Sequence, residues 1–117
     1  MYQLDVIKTT KLAKKLGGPP IFHDGFLHSV TLDKNTMTLD IKLLSQSNPL
    51  LNTDTRVLLK LTNIIRFSLS SNTVKQALLV IHDLDIRKTN NHLHLILEST
   101  DGSLSEVEFE TIELIEA

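Results

Sequence analysis

Residues 21–44 read IFHDGFLHSVTLDKNTMTLDIKLL and contain two runs in which every second residue is mostly apolar. A period of two places every second side chain on the same face of a β-strand. The first set is Phe26, His28, Val30 and Leu32, and the second is Met37, Leu39, Ile41 and Leu43. The polar segment Asp33-Lys34-Asn35 between them is as short as a hairpin connection. These residues predict a half-buried antiparallel β-hairpin.

Later segments of the chain repeat this alternation. The residues expected to point inward are Val57, Leu59, Leu61, Val80, His82, Leu84, Ile86, Leu93, Leu95, Leu97, Val107, Phe109, Ile112 and Leu114. The period is disturbed near Asn63, where we predict a β-bulge because one extra residue in a strand shifts its parity. It changes again near Thr111. Turn residues at Asn90-Asn91 and Asp101-Gly102 separate the last three runs.

The first twenty residues predict one short helix. Thr9 or Thr10 can cap it, and it ends by Leu16 because Gly-Gly-Pro-Pro follows at 17–20. Residues 2–8 also alternate and form a candidate strand. We therefore expect a mainly β (α+β) fold, in which an antiparallel sheet of six or seven strands curls into a sandwich or open barrel beside one N-terminal helix.

Length and composition indicate one ordinary globular domain over residues 1–117. The chain is 41% hydrophobic and 22% charged, and it is long enough to bury a core. It has no cysteine, which excludes disulfides, thiolate metal ligands and a cysteine nucleophile. No stretch resembles a signal peptide or approaches the roughly 18 apolar residues of a membrane span. We expect a cytoplasmic protein that contacts no membrane.

Charge is unevenly distributed along the chain, although the net charge is only −2. The first twenty residues are basic, with lysines at positions 8, 11, 14 and 15. From Glu98 onward there are seven acidic residues and no Lys or Arg. Because phosphate binding depends on positive charge, this acidic end argues against nucleic acid and suits a basic protein surface. A solvated strand face is the alternative explanation.

Two His-Asp dipeptides, His23-Asp24 and His82-Asp83, are the candidates for metal-dependent hydrolysis. Such a site needs several ligands that converge on one ion. Adjacent strand residues point to opposite faces, so each dipeptide offers one ligand per face, and no other carboxylate spacing completes a set. We predict no metal, no cofactor and no catalytic residue, and we keep a His/Asp metal-dependent hydrolase as the alternative.

The residues before the first strand have a structural interpretation. Phe22 is expected to fill the entrance to the sheet, and Asp24 to accept backbone N–H bonds there. His28 and His82 carry the parity of the core-facing set, where a histidine is ordinarily neutral and hydrogen-bonded. Whether these two rings meet is left open.

Several segments resemble the immunity protein 50 family of bacterial polymorphic-toxin systems. Pro20-Ile21-Phe22-His23-Asp24 is similar to the Pro-x-Phe-His-Asp opening of that family. The resemblance continues in order through Val30-Thr31-Leu32-Asp33, Leu59-Lys60-Leu61-Thr62-Asn63-Ile64, Leu84-Asp85-Ile86, Leu95-Ile96-Leu97-Glu98-Ser99, Gly102 and Phe109. It implies a cytoplasmic protein that binds and neutralises a cognate toxin domain and has no catalysis of its own.

The acidic end supplies the candidate contact residues for such a toxin. These are Glu106, Glu108, Glu110 and Glu113, which we expect to face a basic partner. A homodimer formed by edge pairing of the last strand is a further alternative.

Overall fold

The structure, a computed structural model, describes residues 21–48, 50–70 and 79–116. Within these ranges it contains no helix and six strands. The strands are β1 (Phe26–Asp33), β2 (Thr36–Leu43), β3 (Thr55–Ser68), β4 (Leu79–Thr89), β5 (His92–Ser99) and β6 (Leu104–Glu116). The predicted helix and the candidate strand at 2–8 lie outside the described residues. The predicted antiparallel sheet is confirmed.

All six strands belong to one antiparallel sheet in the order β1-β2-β3-β6-β5-β4. The sheet closes on itself because β1 also pairs with β4, through Phe26 opposite Val80 and Leu27 opposite Leu79. This closing ladder, which we call the seam, has two residue pairs, whereas the β3–β6 ladder has ten. The sheet is therefore closed, but the β1–β4 pairing that closes it is short.

The core is aliphatic and follows the alternation of β2, β3 and β5. Met37, Ile41 and Leu43 on β2 are fully buried. Val57, Leu59 and Leu61 on β3, and Leu93, Leu95 and Leu97 on β5, are buried as predicted. Each buried side chain of this size contributes about 1.5–3 kcal/mol relative to an exposed one. These strands confirm that a strict period of two marks the core-facing residues.

Strand β1 departs from its predicted pattern. Its pairing with β2 moves from Leu27 opposite Ile41 to Ser29 opposite Asp40, which leaves His28 as an extra residue. The inward residue at the start of β1 is consequently Leu27, only 2% exposed, and not Phe26. The prediction that Phe26 shares the core face with Val30 is wrong, because a bulge at His28 shifts the parity.

Strand β4 contains a second bulge of the same kind. Its pairing with β5 moves from Ile81 opposite Ser99 to Asp83 opposite Glu98, which leaves His82 as the extra residue. Ile81 is fully buried, and His82 is exposed. The predicted core position of His82 is therefore wrong. Leu84 and Ile86, which follow the bulge, are buried as predicted.

The predicted irregularities in β3 and β6 are confirmed. Asn63 adopts a positive φ of 58°, and the β3–β6 register shifts between Ile64 and Arg66. On β6, Ile112 and Leu114 are buried although they have the opposite parity to Phe109. The turn at Gly102 has φ 88°, a conformation that glycine adopts at little cost.

The segment before β1 is fastened to β4 beside the seam. Phe22 is 1% exposed and belongs to the core, as predicted. The Asp24 N–H donates to the Ile81 carbonyl, and the Ile81 N–H donates to the Gly25 carbonyl, both at 2.8 Å. Among the described residues it is this backbone amide, and not the Asp24 carboxylate, that bonds to the main chain.

Gly25 has no room for a side chain. A Cβ there would lie 2.7 Å from the Lys42 carbonyl oxygen and 2.9 Å from that of Phe22. Both neighbours are backbone atoms, which cannot swing aside as a flexible side chain can. The close approach of the entry segment to β2 therefore requires glycine at this position.

Candidate functional site

Four glutamates point away from the core on β6, and we call them the acidic row: Glu106, Glu108, Glu110 and Glu113. The first three alternate with buried Val107 and Phe109. Glu113 returns to the same outer face because the parity changes near Thr111. The structure therefore brings all four predicted contact residues to one side of one strand.

Glu108 is the member of the row that contacts both Arg66 and His92. Its carboxylate accepts a hydrogen bond from Arg66 Nε on β3, and its other oxygen lies 3.3 Å from His92 Nε2 on β5. The Arg66 hydrogen bond is the main cause that lowers the pKa of Glu108 below its ordinary value of 4.5, and the His92 hydrogen bond acts in the same direction. Glu108 therefore orients Arg66 and is poorly placed to contact a partner.

The other members of the row are more accessible. Glu106 Oε1 lies 3.3 Å from His94 Nε2, and the Glu106 side chain is 47% exposed. Glu110 accepts a hydrogen bond of 3.3 Å from Asn63 Nδ2 and is exposed. Glu113 is also exposed, and its Cα is paired with that of Lys60 across the β3–β6 ladder. Accessible negative charge thus increases toward the C-terminal half of β6.

That C-terminal half is also less completely paired among the described residues. Strand β5 pairs with β6 only as far as Phe109, whereas β3 pairs with it as far as Glu116. Within the described ranges, residues 110–116 therefore have a strand on one side alone. Edge pairing of the last strand, the geometry of the alternative homodimer, would use this stretch.

Two clefts flank Arg66 and Phe67 on β3. The first, of about 280 Å³, lies beside the acidic row, and we call it the glutamate cleft; its lining residues are Arg66, Phe67, Ser68, His94, Glu106 and Glu108. The second, of about 370 Å³, lies at the tip of the β1–β2 hairpin, and we call it the hairpin cleft. Its lining residues are Leu32, Lys34, Asn35, Ile64, Ile65, Arg66 and Phe67.

The two His-Asp dipeptides lie next to each other in the fold, although they are far apart in the sequence. The rings of His23 and His82 are in edge contact, with centroids 5.4 Å apart. His23 Nδ1 is hydrogen-bonded to the His82 carbonyl oxygen, and its Nε2 lies 3.4 Å from Asp24 Oδ1. His82 Nε2 lies 3.8 Å from Glu98 Oε1. The ring that His82 contacts is thus that of His23 and not that of His28.

This histidine pair offers few ligands to a metal ion. Across residues 21–48, 50–70 and 79–116, no group of three or more His, Asp or Glu side chains is arranged to hold one. Hydrolysis by a bound metal requires a set of convergent ligands held by second-shell partners. The hydrolase alternative therefore needs ligands beyond those that the described residues bring together.

Arg66 and His92 were not singled out from the sequence, although both contact the acidic row. Arg66 is the one cation between Thr62 and Ser70, within a run of mostly apolar residues. A single cation in an apolar run was the feature of the sequence that could have indicated an acidic partner for Arg66. Its partner Glu108 lies 42 positions away, and the two meet only because the bulge in β3 sets the register.

Comparisons with known proteins return no match among protein-family models, curated proteins or solved structures. In the part of the chain that the structure describes, no helix has the length and apolarity needed to cross a bilayer. By its fold, the described chain is an all-β protein built on one antiparallel sheet that closes on itself. Its outer face at β6 carries the network in which Glu108 contacts Arg66 and His92.

Proposed function

We propose that this domain is an immunity protein, which binds and neutralises a cognate bacterial toxin domain and has no catalytic activity of its own. The observation that carries the proposal is the acidic row, because β6 presents four glutamates on one face and leaves Glu110 and Glu113 exposed. The similarity of residues 20–24 to the opening of the immunity protein 50 family supports the same function. The partner would be a basic protein surface in the cytoplasm.

The row is suited to fast and selective association. Its backbone is held by the β3 ladder, so the strand itself does not have to be ordered when a partner binds. Complementary charge mainly accelerates encounter and excludes wrong partners, and it adds less to the final affinity. Because the Glu108 carboxylate is already hydrogen-bonded to Arg66, we assign the direct contacts first to Glu106, Glu110 and Glu113.

The same charges could have a purely protective role. Charged side chains along an open strand edge prevent edge-to-edge aggregation, and within the described ranges residues 110–116 have a strand on one side alone. Substitution by lysine separates the two roles. A lysine protects an edge as well as a glutamate does, but it repels a basic partner.

The test uses candidate toxin domains encoded by genes that neighbour the gene of this chain. Co-expression of this chain with the cognate toxin domain should restore growth, and Glu110→Lys or Glu113→Lys should slow association at low salt by about tenfold. Asp83→Lys is the matched control, because Asp83 is exposed on β4 and its reversal changes the net charge equally. Failure of the wild type to rescue growth, or equal slowing by the control, would contradict the proposal.

A His/Asp metal-dependent hydrolase is the second candidate, and the contact between His23 and His82 is the observation that favours it. Metal analysis of protein purified without chelators distinguishes the two functions. Zinc, manganese or iron retained at one equivalent, and lost in His82→Ala, would favour the hydrolase. A metal content that His82→Ala leaves unchanged would count against it.

A further inference from the structure

Strand β3 extends beyond the strand that covers it. Strand β2 pairs with β3 only from Thr55 to Thr62, whereas β6 pairs with it as far as Ser68. At the start of the extension, the Ile64 N–H donates to the Asn35 carbonyl at the hairpin tip. Within the described part of the chain, residues 64–68 therefore have a strand on the β6 side alone. We call these residues the β3 overhang.

The overhang and the hairpin tip expose apolar side chains together. Ile65, Phe67 and Leu32 are 52%, 46% and 47% exposed. Leu32 and Phe67 share a face with their cross-strand partners Met37 and Val107, which are buried. The core-facing, apolar side of the sheet is therefore exposed to solvent at this point, where it lines the hairpin cleft.

The β3 overhang carries less charge than residues 110–116, the other stretch of strand that lacks a neighbour among the described residues. Residues 110–116 of β6 carry three glutamates, and charged side chains are the usual means by which an edge avoids pairing. The overhang carries one charge, Arg66, whose guanidinium is held by Glu108 on the neighbouring strand. An edge with exposed apolar side chains and little charge is typical of sites that accept an added strand.

The charge of the hairpin cleft indicates which kind of strand fits. Among the described residues that line it there are two cations, Lys34 and Arg66, and no acidic side chain. We propose that the β3 overhang binds an extended segment of a partner protein in which apolar and acidic residues alternate. The segment pairs with residues 65–68 as an added strand, next to the Ile64 N–H that Asn35 already accepts. Its apolar side chains cover Ile65, Leu32 and Phe67, and its carboxylates face Lys34. This surface shares Arg66 and Phe67 with the glutamate cleft but does not include Glu110 or Glu113. It does not depend on the partner being a toxin.

Synthetic peptides test the proposal directly. The probe is an acetylated and amidated octapeptide of alternating valine and glutamate, with a valine–lysine octapeptide and a proline-interrupted valine–glutamate octapeptide as controls. We expect the first to bind, with amide chemical-shift changes concentrated at residues 34–35 and 64–68, and both controls to bind at least tenfold more weakly. Absence of binding at millimolar peptide, equal binding of the lysine peptide, or shifts concentrated at residues 110–116 would overturn the proposal.

Matched variants of the protein locate the site. Ile65→Lys should weaken binding of the valine–glutamate peptide at least tenfold, whereas Ile115→Lys, a change at an exposed residue of β6, should leave it unchanged. Lys34→Gln should weaken it about threefold, and Lys42→Gln should not. Thermal unfolding of each variant confirms that it folds. Full binding by a folded Ile65→Lys would contradict the proposal, and loss of binding by Glu113→Lys alone would assign the peptide to the acidic row.

Discussion

Strands β2 and β5 differ from β1, β3 and β4 in one respect: they contain no bulge. Both alternate half-buried and buried residues over all eight positions. Strands β1, β3 and β4 each shift register once, at His28, between Ile64 and Arg66, and at His82. Both kinds of strand supply core residues, such as Ile41 on β2 and Leu59 on β3. The bulges change the direction in which the strand presents its side chains.

The positions of the bulges have consequences for the fold. Those at His28 and His82 flank the seam, where only two residue pairs close the sheet. A bulge bends a strand and increases its twist, which suits two strands that approach at one end and diverge at the other. The bulge in β3 has a different result, because it places Arg66 opposite Glu108.

The largest difference in unfolding free energy is expected between truncations in a regular strand and in a bulged strand. Leu95→Ala on β5 should cost about 2–5 kcal/mol of unfolding free energy, because Leu95 is 1% exposed and its truncation leaves a cavity. Leu32→Ala on β1 should cost less than about 0.5 kcal/mol, because Leu32 is already half exposed. Urea denaturation measures both. Equal costs would show that β1 is as tightly packed as β5.

A smaller effect is expected where the entry segment meets β2. Gly25→Ala should destabilise the protein by about 1–3 kcal/mol, since the new methyl group would overlap two backbone carbonyl oxygens. Ser29→Ala, at an exposed residue of β1, is the control and should change stability by less than about 0.5 kcal/mol. A neutral Gly25→Ala would mean that the entry segment can move away from β2.

The two bulge histidines should respond differently to the same substitution. His28→Leu should stabilise the protein by up to about 1 kcal/mol, because His28 Nε2 is buried and has no hydrogen-bond partner among the described residues. His82→Leu should change stability by less than about 0.5 kcal/mol, because His82 is exposed. Destabilisation by His28→Leu would indicate that the imidazole supports the bulge.

The smallest expected effect concerns the pair that the β3 bulge creates. The pKa of Glu108 is lowered in the folded state, so its contribution to stability is present above its ordinary pKa of 4.5 and is lost as the pH falls through the lower folded value. Glu108→Gln should therefore reduce stability near neutral pH, and its difference from the wild type should vanish in acid. Arg66→Gln should remove the same pH dependence, and unfolding curves recorded across this pH range would show it. A difference that persists at low pH would assign the effect to packing.

The alternation of side chains allowed much of the sheet to be predicted. The inward residues of β2 and β5, the hairpin turn before Thr36, the irregularity near Asn63 and the parity change near Thr111 were all identified correctly. These features are local, because a change in a period of two can be seen within a few residues. The acidic row was visible for the same reason.

The bulges at His28 and His82 could not be predicted from the same pattern. A histidine is compatible with either face of a strand, so the alternation continues through it without a visible break. Whether it counts as an extra residue depends on the neighbouring strand, and the ladders to β2 and β5 decide this. The same holds for the contact of His23 with His82, which lie 59 positions apart.

The sequence alone determined that this protein builds an antiparallel sheet from aliphatic residues and that its last strand is acidic, because both properties are carried by neighbouring residues. Only the tertiary structure decided which glutamate pairs with Arg66, where the sheet closes, and which strand edges have no neighbour among the described residues. Those features depend on the register between strands far apart in the chain, and a shift of one residue moves every side chain to the opposite face.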